Sequence, residues 1–209
     1  MALVDWRSFL AELAALRPLY HSEADFQHAL AWHLHETFPE AKVRIEYRPA
    51  VPKPPHLDIW LEVRDVRLAV EVKYRTRALV CDWNGESFNL LNHGAQDQAR
   101  YDFLKDVMRL EMARAQMPHT SGAALMVTND SALWKPSTHP NAADSSFRLA
   151  DGTQIGGSSL EWGLAAGPGT KKGRESALAI VGRYELHWQK FSLLPAPHYG
   201  EFRYLLVEI

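Results

Sequence analysis

Two alternating segments separated by almost nothing most restrict how this chain can fold. Over 56–63, Leu57, Ile59, Leu61 and Val63 alternate with His56, Asp58, Trp60 and Glu62. Over 66–74, Leu68, Val70, Val72 and Tyr74 alternate with Ala69, Glu71 and Lys73. Period two is the period of a β-strand. Only Arg64 and Asp65 lie between the two segments, so the expectation is an antiparallel hairpin. A two-residue turn puts Val63 opposite Val66, and the same register puts Asp58 opposite Glu71. Directly opposed Cβ atoms lie about 4.5–5.5 Å apart. Alternation adds Lys73 to the same face. Arg-Asp is not a favoured pair for a type I′ turn. A four-residue loop keeps the register, whereas a three-residue loop shifts it by one.

Two carboxylates this close repel unless something positive sits with them. A hard divalent cation suits carboxylate oxygens, and Mg²⁺ takes one or two of them with waters and phosphate oxygens. A lysine beside them is placed to orient or deprotonate a water, or to balance charge on a phosphate. The plain alternative is a solvated sheet face with a cross-strand ion pair.

Around this hairpin the chain alternates helical and strand-like patterns. Helical spacing covers 5–16, with Trp6, Phe9, Leu10, Leu13 and Leu16. Ser22 then caps a second helix carrying Phe26, Leu30, Leu34 and Phe38. A strand is expected over 42–48 and a loop over 79–93. A long helix over 95–115 turns Ala99, Phe103, Val107 and Leu110 inward. The apolar run 123–128 reads as a central buried strand. Residues 129–176 read as an irregular insertion rich in Ser, Gly, Asn and Pro, and strands near 178–190 and 202–208 close the chain. The whole is expected to be one α/β domain over 1–209, with a mixed central sheet flanked by helices.

The series Leu57-Asp58-Ile59-Trp60, a short gap, then Val70-Glu71-Val72-Lys73 resembles the PD-(D/E)XK nuclease superfamily. The order of elements over about 20–128 matches as well: helix, strand, Asp strand, Glu-x-Lys strand, helix, strand. Leu57 stands where that family often has proline. The resemblance implies a restriction-endonuclease-like core and a metal-dependent phosphodiesterase. Asp58, Glu71 and the carbonyl of Val72 would hold Mg²⁺ or Mn²⁺, and Lys73 would be the catalytic lysine. It further implies a site-lining Glu23 from the first core helix. On the helix after the lysine strand, Gln98 is the preferred counterpart of a Gln or basic residue found in many members. An acid in a first helical turn also simply complements the helix dipole.

The implied substrate is nucleic acid, DNA ahead of RNA, cut by a metal-activated water. A nuclease fold that binds nucleic acid or a protein without cutting is the alternative. The net charge is −2 over 209 residues, so phosphate binding must come from local basic groups. Candidates are Arg44, Arg48, Lys53 and Arg75 near the hairpin, with Lys171, Lys172 and Arg174 in the insertion. Trp60, Trp83 and Phe88 are candidate stacking partners. His28, His33 and His35 share a helix but lack an acid or Cys to complete a zinc set. Gly167-Pro-Gly-Thr-Lys-Lys-Gly173 lacks the order of a phosphate-binding P-loop. The one cysteine, Cys81, excludes an intrachain disulfide. No secretory signal or membrane span is expected, so the cytoplasm is the expected location. A homodimer is compatible with this reading.

Overall fold

A computed structural model describes residues 3–52, 54–139 and 141–209. Helix α1 (Trp6–Leu16) starts where Asp5 accepts from the Ser8 N–H, and it buries Trp6, Phe9, Leu10 and Leu13. Helix α2 (Glu23–Thr37) starts at Ser22, whose side chain accepts from the Asp25 N–H at 3.2 Å. Its buried stripe includes Phe26, Leu30 and Leu34. Strands β1 (Lys42–Tyr47), β2 (Leu57–Val63) and β3 (Val66–Arg75) follow, then β4 (Leu79–Trp83) and β5 (Glu86–Leu90). Helix α3 (Gln96–Gln116) leads into β6 (Thr120–Thr128). The last part holds β7 (Gln154–Leu160), the short α4 (Pro168–Lys171), β8 (Leu178–Glu185), β9 (Trp188–Leu193) and β10 (Glu201–Glu208).

Six strands form the central sheet in the order β1-β2-β3-β6-β10-β9. Among its described pairings only β3–β6 is parallel, and α3 is the crossover between those two strands. The sheet is therefore mixed. Helices α1 and α2 pack on one face, against Ile59, Leu61, Val63, Val70, Val72, Ala123 and Leu125. Helix α3 packs on the other, with Trp60, Ala69, Ala124, Met126 and Leu205. β6 is thus covered on both faces and is a nearly continuous apolar run, as a strand buried on both sides requires, whereas β3 keeps Glu71 and Lys73 among its apolar residues. No helix among the described residues is long and apolar enough to cross a membrane.

The hairpin register is the expected one: Val63 pairs with Val66, and the ladder runs back to Ile59 with Val70. The two-residue turn forms because Arg64 takes a positive φ of 54°. Leu57 departs from the expected alternation and packs on the α3 side with Trp60.

The expected loop over 79–93 is instead the β4–β5 hairpin. Its turn is Asn84-Gly85, with φ of 49° and 81°, the left-handed pair that a two-residue hairpin needs. The single strand expected near 178–190 is two strands in different sheets. β8 pairs with β7 in a separate ribbon, and β9 returns to the edge of the central sheet. The described residues of the 129–176 segment add Leu133, Trp134, Phe147, Leu149 and Ile155 to the core on the α3 side. Its apolar residues are too widely spaced in sequence to show as one period.

Candidate active site

The site forms where β2 and β3 part. Their ladder stops at Ile59 and Val70, which leaves the next N–H groups of β3 without a β2 carbonyl. Side chains supply the acceptors. Asp58 Oδ2 accepts from the Val72 N–H at 2.7 Å, and Glu23 Oε2 accepts from the Tyr74 N–H at 2.8 Å. Backbone donors need partners when buried, so these two carboxylates are fixed by the strand itself. Lys73 Nζ donates to the Val72 carbonyl at 3.0 Å.

Helix α3 brings two further charges. Lys73 Nζ lies 2.7 Å from Asp106 Oδ2. Arg109 Nη1 donates to Asp106 Oδ1 at 2.9 Å, and its Nη2 lies 2.7 Å from Glu71 Oε1. Lys73, Asp106, Arg109 and Glu71 form one chain of alternating charge. Glu71 is 1 % exposed, and neither of its oxygens receives a directed hydrogen bond. The Arg109–Glu71 contact is therefore a contact of charges, not a well-aligned hydrogen bond.

Burial pushes the Glu71 carboxyl well above the usual carboxylate range, and Asp106 and Asp58 push it further, against Arg109 and Lys73. Burial likewise raises Glu23 and Asp106, with Lys73 opposing both. Burial works against the charge on Lys73, but Asp106, Glu23 and Asp58 outweigh it and hold its proton above the ordinary lysine range. The site is a cluster of mutually repelling carboxylates held by two cationic side chains.

Asp58, Glu71, Lys73, Glu23 and the Val72 backbone are thus brought to one end of the sheet. Three further residues join this cluster that the sequence reading does not single out. Gln27, one turn beyond Glu23, donates to the Asp58 carbonyl at 2.8 Å and to Glu46 Oε1 at 2.9 Å. Asp106 and Arg109 flank the inward stripe of α3. A charged residue at 106, three places after Phe103 and four before Leu110, was the available signal.

Gln98 is not brought to the carboxylates; its amide lies 3.4 and 3.2 Å from the carbonyls of Gly169 and Thr170. Arg174 grips Asp102 of α3 through both carboxylate oxygens, at 2.7 and 2.6 Å. Lys172 is exposed and Lys171 half-buried on the same segment. Arg75 donates to the Gly94 carbonyl at 2.8 Å, and burial lowers its pKa while Glu23 and Asp102 oppose the shift. Arg44 and Arg48 are exposed on and after the edge strand β1. Lys53 lies outside the described residues. Trp60 is buried and stacks on Tyr47 at 5.2 Å, and Phe88 is buried against His21, so neither offers a face to a base. Trp83 is exposed at the hairpin tip. His33 is buried against Phe9, with Glu12 and Glu36 at 3.7 and 3.9 Å.

Among the described residues, no group of three or more His, Cys, Asp and Glu side chains is arranged as a ready-made cation cage. The chemistry of the donors still fits a hard cation. Asp58 and Glu23 each keep an oxygen that does not bind backbone, and both Glu71 oxygens lack a donor. Comparison of the chain with family models, with curated proteins and with solved structures gives no match.

Proposed function

We propose that this protein is a metal-dependent nuclease with a restriction-endonuclease-like core, acting on DNA ahead of RNA. The observation that carries the reading is that Asp58 and Lys73 both lie within electrostatic reach of the buried Glu71 where β2 and β3 separate. Asp58 and Glu71, with the Val72 carbonyl, are the groups that would hold Mg²⁺ or Mn²⁺. Such a cation would supply an activated water and a counter-charge for the phosphate. The chain's own part is positioning and charge. The Val72 N–H fixes one Asp58 oxygen, and Gln27 fixes the Asp58 carbonyl. Glu23 fixes the next residue pair of β3. Lys73 keeps its proton and so offers a permanent positive charge to a phosphate oxygen.

A fold that grips nucleic acid without cutting has one observation in its favour: Lys73 and Glu71 are both engaged by α3 side chains. One assay separates the readings. Labelled DNA and RNA are incubated with the protein in Mg²⁺, Mn²⁺ or EDTA. Cleavage that EDTA abolishes supports the nuclease; retention of the strands without cleavage supports the binding module.

A further inference from the structure

The two candidate metal-binding carboxylates are held differently. Asp58 is tied to the backbone of β3, whereas the ion pair found for Glu71 among the described residues is with Arg109. Arg109 directs its hydrogen bond at Asp106, not at Glu71. A carboxylate as buried as Glu71 needs a counter-charge whenever it is ionised. Arg109 supplies one on a long side chain that is still 25 % exposed, and its five donors allow it to turn without leaving Asp106. We propose that Arg109 is a resident counter-ion on Glu71 that a divalent cation displaces, and that Asp106 is the seat that retains the guanidinium. The inference rests on the metal-dependent reading above.

The arrangement has two consequences. Cation and guanidinium compete for one carboxylate, so the protein binds metal less tightly than its carboxylates alone would. Asp106 then carries more of Arg109, which loosens its hold on Lys73, the neighbour on its other oxygen. Loading the cation thereby frees the lysine.

The test is Mn²⁺ binding by titration calorimetry on the full chain, without nucleic acid. Arg109→Gln should bind Mn²⁺ about tenfold more tightly than the wild type, a difference of about 1.4 kcal/mol. Asp106→Asn, which leaves Arg109 only Glu71, should bind more weakly, and Glu71→Gln should lose binding. Arg75→Gln is the control, because Arg75 is a nearby cation for which no contact with Glu71 is found. If Arg75→Gln tightens binding as much as Arg109→Gln, the effect is a general field and the proposal is overturned. Equal affinity in wild type and Arg109→Gln, with binding still lost in Glu71→Gln, overturns the proposal and leaves the metal site standing. Absence of Mn²⁺ binding in every variant overturns both. Should Arg109→Gln not fold, Arg109→Lys carries the test: it keeps the charge but loses the fork, and should bind more tightly than the wild type.

Discussion

Glu23 and Gln27, one turn apart on α2, each hold the backbone of a different strand. Glu23 takes the Tyr74 N–H of β3 at 2.8 Å, and Gln27 donates to the Asp58 carbonyl of β2 at 2.8 Å. One helical turn thus spans the gap where the two strands part. Asp58 sits at that gap, and its position depends on both grips.

Gln27→Leu removes the donor to Asp58 and keeps a similar volume. The partly buried carbonyl then loses this donor, which costs up to about 1–3 kcal/mol. The denaturation midpoint in urea should fall with an unchanged slope. Cleavage should slow more than nucleic-acid affinity falls, because Asp58 shifts while the surface does not. A variant as stable and as active as the wild type would show that the bond is incidental.

The burial of Glu71 makes a statement about pH. Its folded pKa is raised above the unfolded value, so the fold is favoured at low pH and loses that contribution as pH rises through the folded pKa. Glu71→Gln removes the group that titrates. Its melting temperature relative to the wild type should therefore climb as pH is raised from about 4, the ordinary glutamate value. Melting curves at successive pH values check this. A difference that stays constant or falls would place Glu71 in a less desolvated setting.

The basic insertion should contribute fewer phosphate contacts than its composition suggests. Arg174 is engaged by Asp102, which leaves Lys171 and Lys172 as the uncommitted charges of that trio. Each phosphate contact adds about 0.9 to the log–log salt slope of binding to duplex DNA. Lys171→Ala with Lys172→Ala should flatten the slope by up to about two. Adding Arg174→Ala should lower stability and leave the slope where it was. A further flattening by Arg174→Ala would mean that its ion pair opens on binding.

Much of this was legible because it is local. The register of Ile59–Val63 with Val66–Val70 follows from period-two alternation and a two-residue link, whereas the ladder ends one pair short of Asp58 and Glu71, and Asp58 accepts from the Val72 N–H instead. The cap at Ser22 and the inward stripe of α3 are equally short-range. The β4–β5 hairpin is also written locally, in Asn84-Gly85, but the residue types of β4 do not alternate: apolar Val80 sits on the exposed face between Leu79 and Cys81. What was not legible is long-range. Asp106 and Arg109 acquire their roles only when the crossover lays α3 across β3. The pairing of Arg174 with Asp102 spans most of the second half of the chain. The break between β8 and β9 depends on which sheet each strand joins, and their shared apolar pattern does not encode that.

In the proposed reaction Lys73 acts on a phosphodiester held at Asp58 and Glu71. Single-turnover cleavage of labelled DNA in Mg²⁺ tests it most directly, comparing wild type with Lys73→Ala. The wild type should cleave, cleavage should vanish in EDTA, and Lys73→Ala should be about 10²–10³-fold slower, the range seen when one transition-state donor is removed. Asp106 keeps Arg109 as its partner in that variant, so it should remain folded with a lowered melting temperature. A folded Lys73→Ala protein that cleaves at the wild-type rate, or wild-type cleavage that persists in EDTA, would contradict the account.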